Sequence, residues 1–166
     1  MLLTIISLSL CSFHLFSQSI TSNWILQSDF TNDDFVYSVA VDTTNQFIYS
    51  AGMVDDLSDL EVPDFGNITG STQTNVTSEG NDDGFLCKMD MSGNILWLIT
   101  VGGNQDDEVL DICLDPSGNI YFVGYYYGSF KAESLDGSNQ TSLSELGGVG
   151  EATCFIGSYS PAGDLR

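Results

Sequence analysis

Phe85-Leu86-Cys87-Lys88-Met89-Asp90-Met91-Ser92-Gly93-Asn94-Ile95-Leu96-Trp97 holds two short apolar runs that meet at an Asp-x-x-Gly-Asn turn. Asp in the first position turns its carboxylate back on nearby backbone N–H groups. Gly in the fourth supplies the left-handed backbone that a tight hairpin needs. The same grammar returns in Asp115-Pro116-Ser117-Gly118-Asn119 and Ser160-Pro161-Ala162-Gly163-Asp164. Asp42-Thr43-Thr44-Asn45-Gln46 is a variant in which Asn45 is expected to take the positive φ that Asn tolerates. Apolar and aromatic runs flank these turns at 24–28, 36–41, 47–52, 85–90, 95–101, 109–114, 120–125 and 155–159. Each turn therefore reads as an antiparallel connection between two strands.

The runs belong to a duplicated segment. Trp24 and Trp97 are 73 residues apart, and so are Asp33 and Asp106, Asp34 and Asp107, and Asp42 and Asp115. The offset becomes 72 at Tyr49/Tyr121 and Gly52/Gly124, and a third stretch, Phe155 to Leu165, overlays Phe85 to Ile95 at an offset of 70. A long fixed period marks a repeat array whose units bury their apolar faces against each other. Residues 85–125 read as one complete four-stranded antiparallel meander, the size of a propeller blade. Residues 24–52 read as a partial blade and 155–159 as the start of the next. The expectation is an all-β, β-propeller-like chain with about two blades' worth of strands. The polar stretches 53–83 and 126–153 are expected to be crossings between blades. Closed propellers need about four to eight blades, so the chain is expected to be part of a longer propeller or to self-associate.

Composition agrees with this class. Helix punctuation is nearly absent, while 17 Gly, 10 Phe and 7 Tyr sit among short runs of β-branched residues. The net charge of −20 arises from 23 acidic residues against Lys88, Lys131 and Arg166. Such a field repels phosphate backbones and anionic lipid, which excludes nucleic acid as a partner. Residues 2–16 form an apolar run too short to span a bilayer, followed by Ser17-Gln18-Ser19, whose small residues suit cleavage. Residues 1–19 are read as a signal peptide and 20–166 as the propeller segment, secreted to the exterior or the cell surface, with no membrane span. Cys87, Cys113 and Cys154 then remain. Each stands where the other copy has Gly or Ala, so packing as small apolar side chains is expected, with a disulfide open as an alternative.

The pattern Phe85-Leu86-x-Lys88-Met89-Asp90-x-x-Gly93-Asn94-x-x-Trp97, then Gly102-Gly103, Asp107 and Asp115-x-x-Gly118-Asn119-Ile120-Tyr121-x-x-Gly124, resembles the β-propeller repeat of secreted bacterial proteins, the SBBP type. The likeness is continuous over 82–124 and weaker over 24–52 and 150–165. Asp29-Phe30 replaces the glycine pair in the first copy, and Ala152-Thr153 replaces Asp82-Asp83 in the third. The resemblance implies export and a blade architecture, and it implies no single activity.

The chain's one histidine, His14, falls within the signal, which leaves no Ser-His-Asp or Cys-His nucleophile and no imidazole metal ligand after cleavage. Asp33-Asp34, Asp82-Asp83 and Asp106-Asp107 recur at equivalent corners. Clustered carboxylates suit a hard cation such as Ca²⁺, and in turns they also serve as acceptors for backbone N–H groups. No other cofactor is implied. Tyr125-Tyr126-Tyr127 ends what reads as an outer strand, where alternate rings face opposite sides and form a candidate ligand-binding cluster. Two functions follow. One is a non-catalytic interaction, adhesion or scaffold module for a protein or glycan ligand, with 53–83 and 126–153 as its contact surface. The other is a polysaccharide-acting enzyme fragment using paired carboxylates.

Overall fold

The computed structural model describes residues 34–55, 73–75, 80–146 and 150–166, with 73–75 as backbone. The signal reading, the run 24–28 and Asp33 lie outside the described residues. All described regular structure is β: β1 (Phe35–Asp42), β2 (Phe47–Asp55), β3 (Gln73–Asn75), β4 (Asp82–Asp90), β5 (Ile95–Val101), β6 (Asp107–Leu114), β7 (Ile120–Tyr126), β8 (Ser129–Glu133), β9 (Gln140–Ser144) and β10 (Thr153–Tyr159).

Among the described residues three sheets form, with strand orders β1-β2-β4-β5-β3, β10-β7-β6 and β8-β9. The first is an antiparallel meander of β1, β2, β4 and β5 with β3 added in parallel at its outer edge. The second repeats its first three strands. This corrects the expected blade boundaries. Residues 85–125 are divided between two sheets, and β4 pairs with β2 from Phe47↔Asp90 to Asp55↔Asp82 across the long polar connection. That connection, and its counterpart after β7, therefore lie within blades. The crossing between blades is the short segment 102–106.

The segment can leave the plane of the sheet because it begins with Gly102-Gly103. A Cβ on Gly103 would lie 1.9 Å from the Ser129 carbonyl oxygen, and one on Gly102 would lie 2.1 Å from Asp83 Oδ1. Only glycine fits so close an approach.

Alternation along each strand gives both sheets two apolar faces, and the sheets stack. Tyr49, Ala51, Leu86, Trp97 and Ile99 of the first sheet meet Val109, Ile112, Ile120 and Phe122 of the second in one buried core. A separate cluster, including Phe85, Cys87, Met89 and Leu98, is buried on the far side of the first sheet. Burial of each large side chain contributes about 1.5–3 kcal/mol. Polar contacts fix the alignment of the stack: Ser38 Oγ donates to Asp111 Oδ1 at 2.6 Å, and Trp97 Nε1 and Lys88 Nζ both donate to the Pro161 carbonyl, at 3.2 and 2.7 Å. Lys88 tolerates burial by resting 3.9 Å above the Phe47 ring.

The connection after β7 is more ordered than its composition suggests. It forms the β8-β9 hairpin, buries Phe130 and Ala132 in the shared core, and bridges back to the first sheet through Gly102↔Lys131.

Among the cysteines, Cys87 is buried as expected, and burial pushes its thiol up to about 12. Cys113 and Cys154 are instead exposed on the outer face of the second sheet, and all three are free. Cys113 lies beside Tyr121 and Cys154 beside Tyr125, four residues farther along β7, so they are too far apart to pair.

The hairpin turns follow the sequence grammar. Asp90 Oδ1 accepts from Ser92 N and Asn94 N at 2.8 and 3.0 Å while Oδ2 accepts from Asn94 Nδ2 at 2.7 Å, and Asp115 repeats the set with Ser117 and Asn119. Gly93, Gly118 and Gly163 have φ of 83°, 79° and 90°. In the first turn the positive φ, 63°, falls on Gln46 and not on Asn45. Pairing of Asp42 with Phe47 makes this loop one residue longer, which moves Gln46 to the place of Gly118, and the Asn45 side chain is held by Asp42 at 2.7 Å. Gln46→Gly is therefore expected to stabilise the protein by about 0.5–1 kcal/mol, and Gly118→Ala to destabilise it by about 1–2 kcal/mol. Urea unfolding midpoints of the two variants check the opposite signs.

Candidate functional site

Strand direction sorts the molecule into two ends. The tight turns 43–46, 91–94, 115–119 and 160–164 all fall at one end of the stacked sheets. The opposite end gathers the start of β1, the end of β2, the starts of β4 and β6, the crossing 102–106 and the end of β7. Both long connections leave and return there. Asp34, Asp82, Asp83, Asp106, Asp107 and Tyr125 to Tyr127 are therefore brought to one end.

Within that end the acids divide into an inner and an outer group. Asp83 and Asp107 are fully buried on either side of Gly102. Asp107 Oδ2 accepts from Gly103 N at 2.5 Å and its Oδ1 from Tyr127 N at 3.3 Å, which ties the crossing to the end of β7. Burial, opposed by the Gly103 N–H and reinforced by the Asp83 charge, pushes the Asp107 carboxyl up to about 8. Asp107 holds the junction, and both carboxyls are closed off from solvent. The outer group is half-exposed. Asp82 faces Asp55 across the β2-β4 ladder, and burial, then the Asp55 charge, raises it to about 6. Asp106 accepts from Asn81 Nδ2 at 3.1 Å. Among the described residues no three His, Cys, Asp or Glu side chains are grouped to hold a metal ion.

The tyrosines also separate. β7 is the central strand of its sheet, flanked by β6 and β10, and not the outer strand expected. Tyr126 is buried and donates to the Ser144 carbonyl at 3.0 Å, so it belongs to the core. Tyr125 and Tyr127 share the other face with rings 5.8 Å apart, and Tyr125 donates to Glu108 Oε1 at 2.5 Å. Burial and this hydrogen bond hold the Tyr125 hydroxyl above its ordinary range.

Tyr37 completes the group from β1. It is exposed, its ring stacks on Phe35 at 5.8 Å, and burial followed by the Glu108 carboxylate raises its hydroxyl. Tyr37 and Phe35 were not legible as site residues. Only the pairing of β1 with β2 and its packing on β6 bring them to Glu108. Asp55 was missed because the apolar run it follows was read as ending at Gly52.

A separate cleft of about 260 Å³ lies beside β10, lined by Phe122, Phe130, Leu143, Phe155 and Leu165. It occupies the position that β5 takes beside β4 in the first sheet. Tyr159↔Leu165 and the bond from Arg166 N to the Ser158 carbonyl already begin that pairing.

The raised Asp107 and Asp82 carboxyls set a pH dependence. A folded-state acid held above its unfolded value stabilises the fold fully below about pH 4, and that contribution is lost as pH rises through the folded values of about 6 and about 8. The melting temperature is expected to fall between pH 5 and pH 8. Asp107→Asn should remove about half of that fall or more, whereas Asp106→Asn, which deletes a neighbouring charge, should change it little. Thermal melts of the three proteins across this range check the sign.

No protein-family model matches the chain. Among curated proteins, an uncharacterised WD repeat-containing protein of Acanthamoeba polyphaga mimivirus is 27% identical over 136 residues, which is 75% of this chain and 10% of that protein. The chain thus spans about a tenth of the length of the curated relative it matches. Similarity to a repeat protein of that class, together with stacked antiparallel meanders and an internal duplication, makes this a β-propeller-type repeat chain in the general sense.

Proposed function

We propose that the protein is an exported, non-catalytic interaction module of the propeller type, resembling the repeat of secreted bacterial proteins. Its ligand, a protein or a glycan, binds the end of the stack that carries Tyr37, Tyr125, Tyr127 and Glu108. The observation that carries this reading is the segregation of the two ends. Tight turns close one end, while both long connections, the half-exposed acids and the aromatic group gather at the other.

Aromatic faces beside a carboxylate suit ligands rich in hydroxyl donors or positive charge, through ring stacking, cation–π contact and hydrogen bonds. The net charge of −20 repels anionic ligands from the same surface. Because Phe130 and Ala132 are core residues, the connection 126–153 serves as scaffold as well as contact surface, and only its exposed positions are available to a partner.

The alternative is a polysaccharide-acting enzyme fragment, and Asp82 favours it. A carboxyl held up to about 6, with a second carboxyl beside it, has the raised proton affinity that a general acid needs. Hydrolysis of a polysaccharide that Asp82→Asn abolishes would select this reading.

The leading reading is tested with the double variant Tyr37→Ser/Tyr127→Ser on glycan and protein arrays. The melting temperature is expected to stay within a few degrees of wild type while affinity for any captured ligand falls about tenfold or more. Ligand capture that is unchanged in the double variant would place the contact surface elsewhere.

A further inference from the structure

We propose that this chain assembles head to tail with further copies of itself, the outer side of β1 in one copy packing on the open face of the second sheet in the next.

The interface between the two sheets has two halves. Val109, Ile112 and Leu114 of β6 provide one half, and Ala40, Tyr49, Ala51 and Leu86 of the first sheet provide the other. The internal repeat carries each half to a second place in the molecule. The β6 residues correspond to Val36, Val39 and Val41 of β1. The first-sheet residues correspond to Cys113, Tyr121, Val123 and Ile156 of the second sheet. Chemical class is kept at every position, including a tyrosine for a tyrosine. Exposure is reversed: Tyr49, Ala51, Leu86 and Val109 are at most 1% exposed, whereas Val36 and Val39 are 59% exposed, Tyr121 36%, Val123 39% and Ile156 75%. Among the described residues, the chain displays one further copy of each half of an interface that it already forms once.

Backbone shape agrees with side-chain class. The β1-β2 ladder shifts register between Val36 and Ser38, and the β6-β7 ladder shifts between Val109 and Asp111, which is the same bulge at the equivalent place. β1 therefore presents its valines with the curvature with which β6 presents Val109 and Ile112. The polar register mark of the existing interface is not repeated. Ser38 Oγ accepts from Ile112 N at 3.3 Å in the existing interface. Its counterpart by the repeat, Asp111, already receives Ser38 Oγ and Ile112 N within the chain, so the contact with the next copy rests on the apolar side chains and the shared bulge.

Contact between two different surfaces repeats with a constant rotation and closes into a ring when the rotation allows. With two stacked blade sheets among the described residues and about four to eight blades in a closed propeller, a ring takes about two to four copies. Like charge on every copy opposes association, so assembly should strengthen as salt screens it.

The test is light scattering coupled to size exclusion on the full chain at low and high salt, with Val39→Lys and Ile156→Lys as variants. Both side chains are more than half exposed, so the fold should survive, and far-ultraviolet circular dichroism and melting temperature verify that. Wild type is expected to run as a closed species of about two to four copies, favoured by salt. Each variant alone should be a monomer. An equal mixture should form a species of two chains and nothing larger, because Val39→Lys keeps the second-sheet face and Ile156→Lys keeps the β1 face. A wild type that is monomeric at every salt concentration overturns the proposal, as do variants that associate like wild type. Monomeric variants whose mixture stays monomeric overturn the head-to-tail arrangement.

Discussion

The stacking of the first sheet on the second is the interaction on which the rest of the structure depends. The faces that the two sheets turn toward each other are apolar, and β6 lies across the first sheet to cover it. Buried side chains at about 1.5–3 kcal/mol each outweigh the Ser38–Asp111 and Trp97–Pro161 hydrogen bonds at about 1 kcal/mol each. The polar contacts have a different role. They select one alignment among the many that an apolar interface would accept.

That stack decides what the acidic residues can do. Forming it drives Asp83 and Asp107 into the junction, where the carboxyl of Asp107 serves as a clamp for the Gly103 and Tyr127 N–H groups. A buried acid with two donors is held in place at the cost of a raised proton affinity. Asp82 and Glu108, their neighbours on the same strands, keep contact with solvent because the side-chain period is two, and so does Asp106 at the end of the crossing. Neighbouring residues of one acidic run thus divide between structure and surface.

The connections between second and third strands illustrate how composition can mislead. Residues 126–153 are rich in Gly and Ser without a clear period, yet they supply β8, β9 and three core side chains, Tyr126, Phe130 and Ala132. The apparent loop is the outer flank of a blade. Function read into such segments has to be confined to the positions that the packing leaves exposed, such as Leu146 and the outer residues of β9.

Strand positions, the hairpin turns and the duplication were legible in the sequence because each rests on local chemistry: Asp binding backbone N–H groups two and four residues on, Gly at positive φ, and alternation along a strand. Gln46 escaped that reading, since one inserted turn residue moved the left-handed position by a single step. Which hairpins share a sheet was not local. The five residues 102–106 separate β5 from β6 and change sheets, while a far longer connection joins two strands that pair, so chain distance pointed to the wrong blade boundary. The meeting of Tyr37 with Glu108 and Tyr125, the burial of Tyr126, and the exposure of Cys113 and Cys154 all follow from that choice of partners. Pairing and stacking are long-range contacts, and their energy appears only once both surfaces exist.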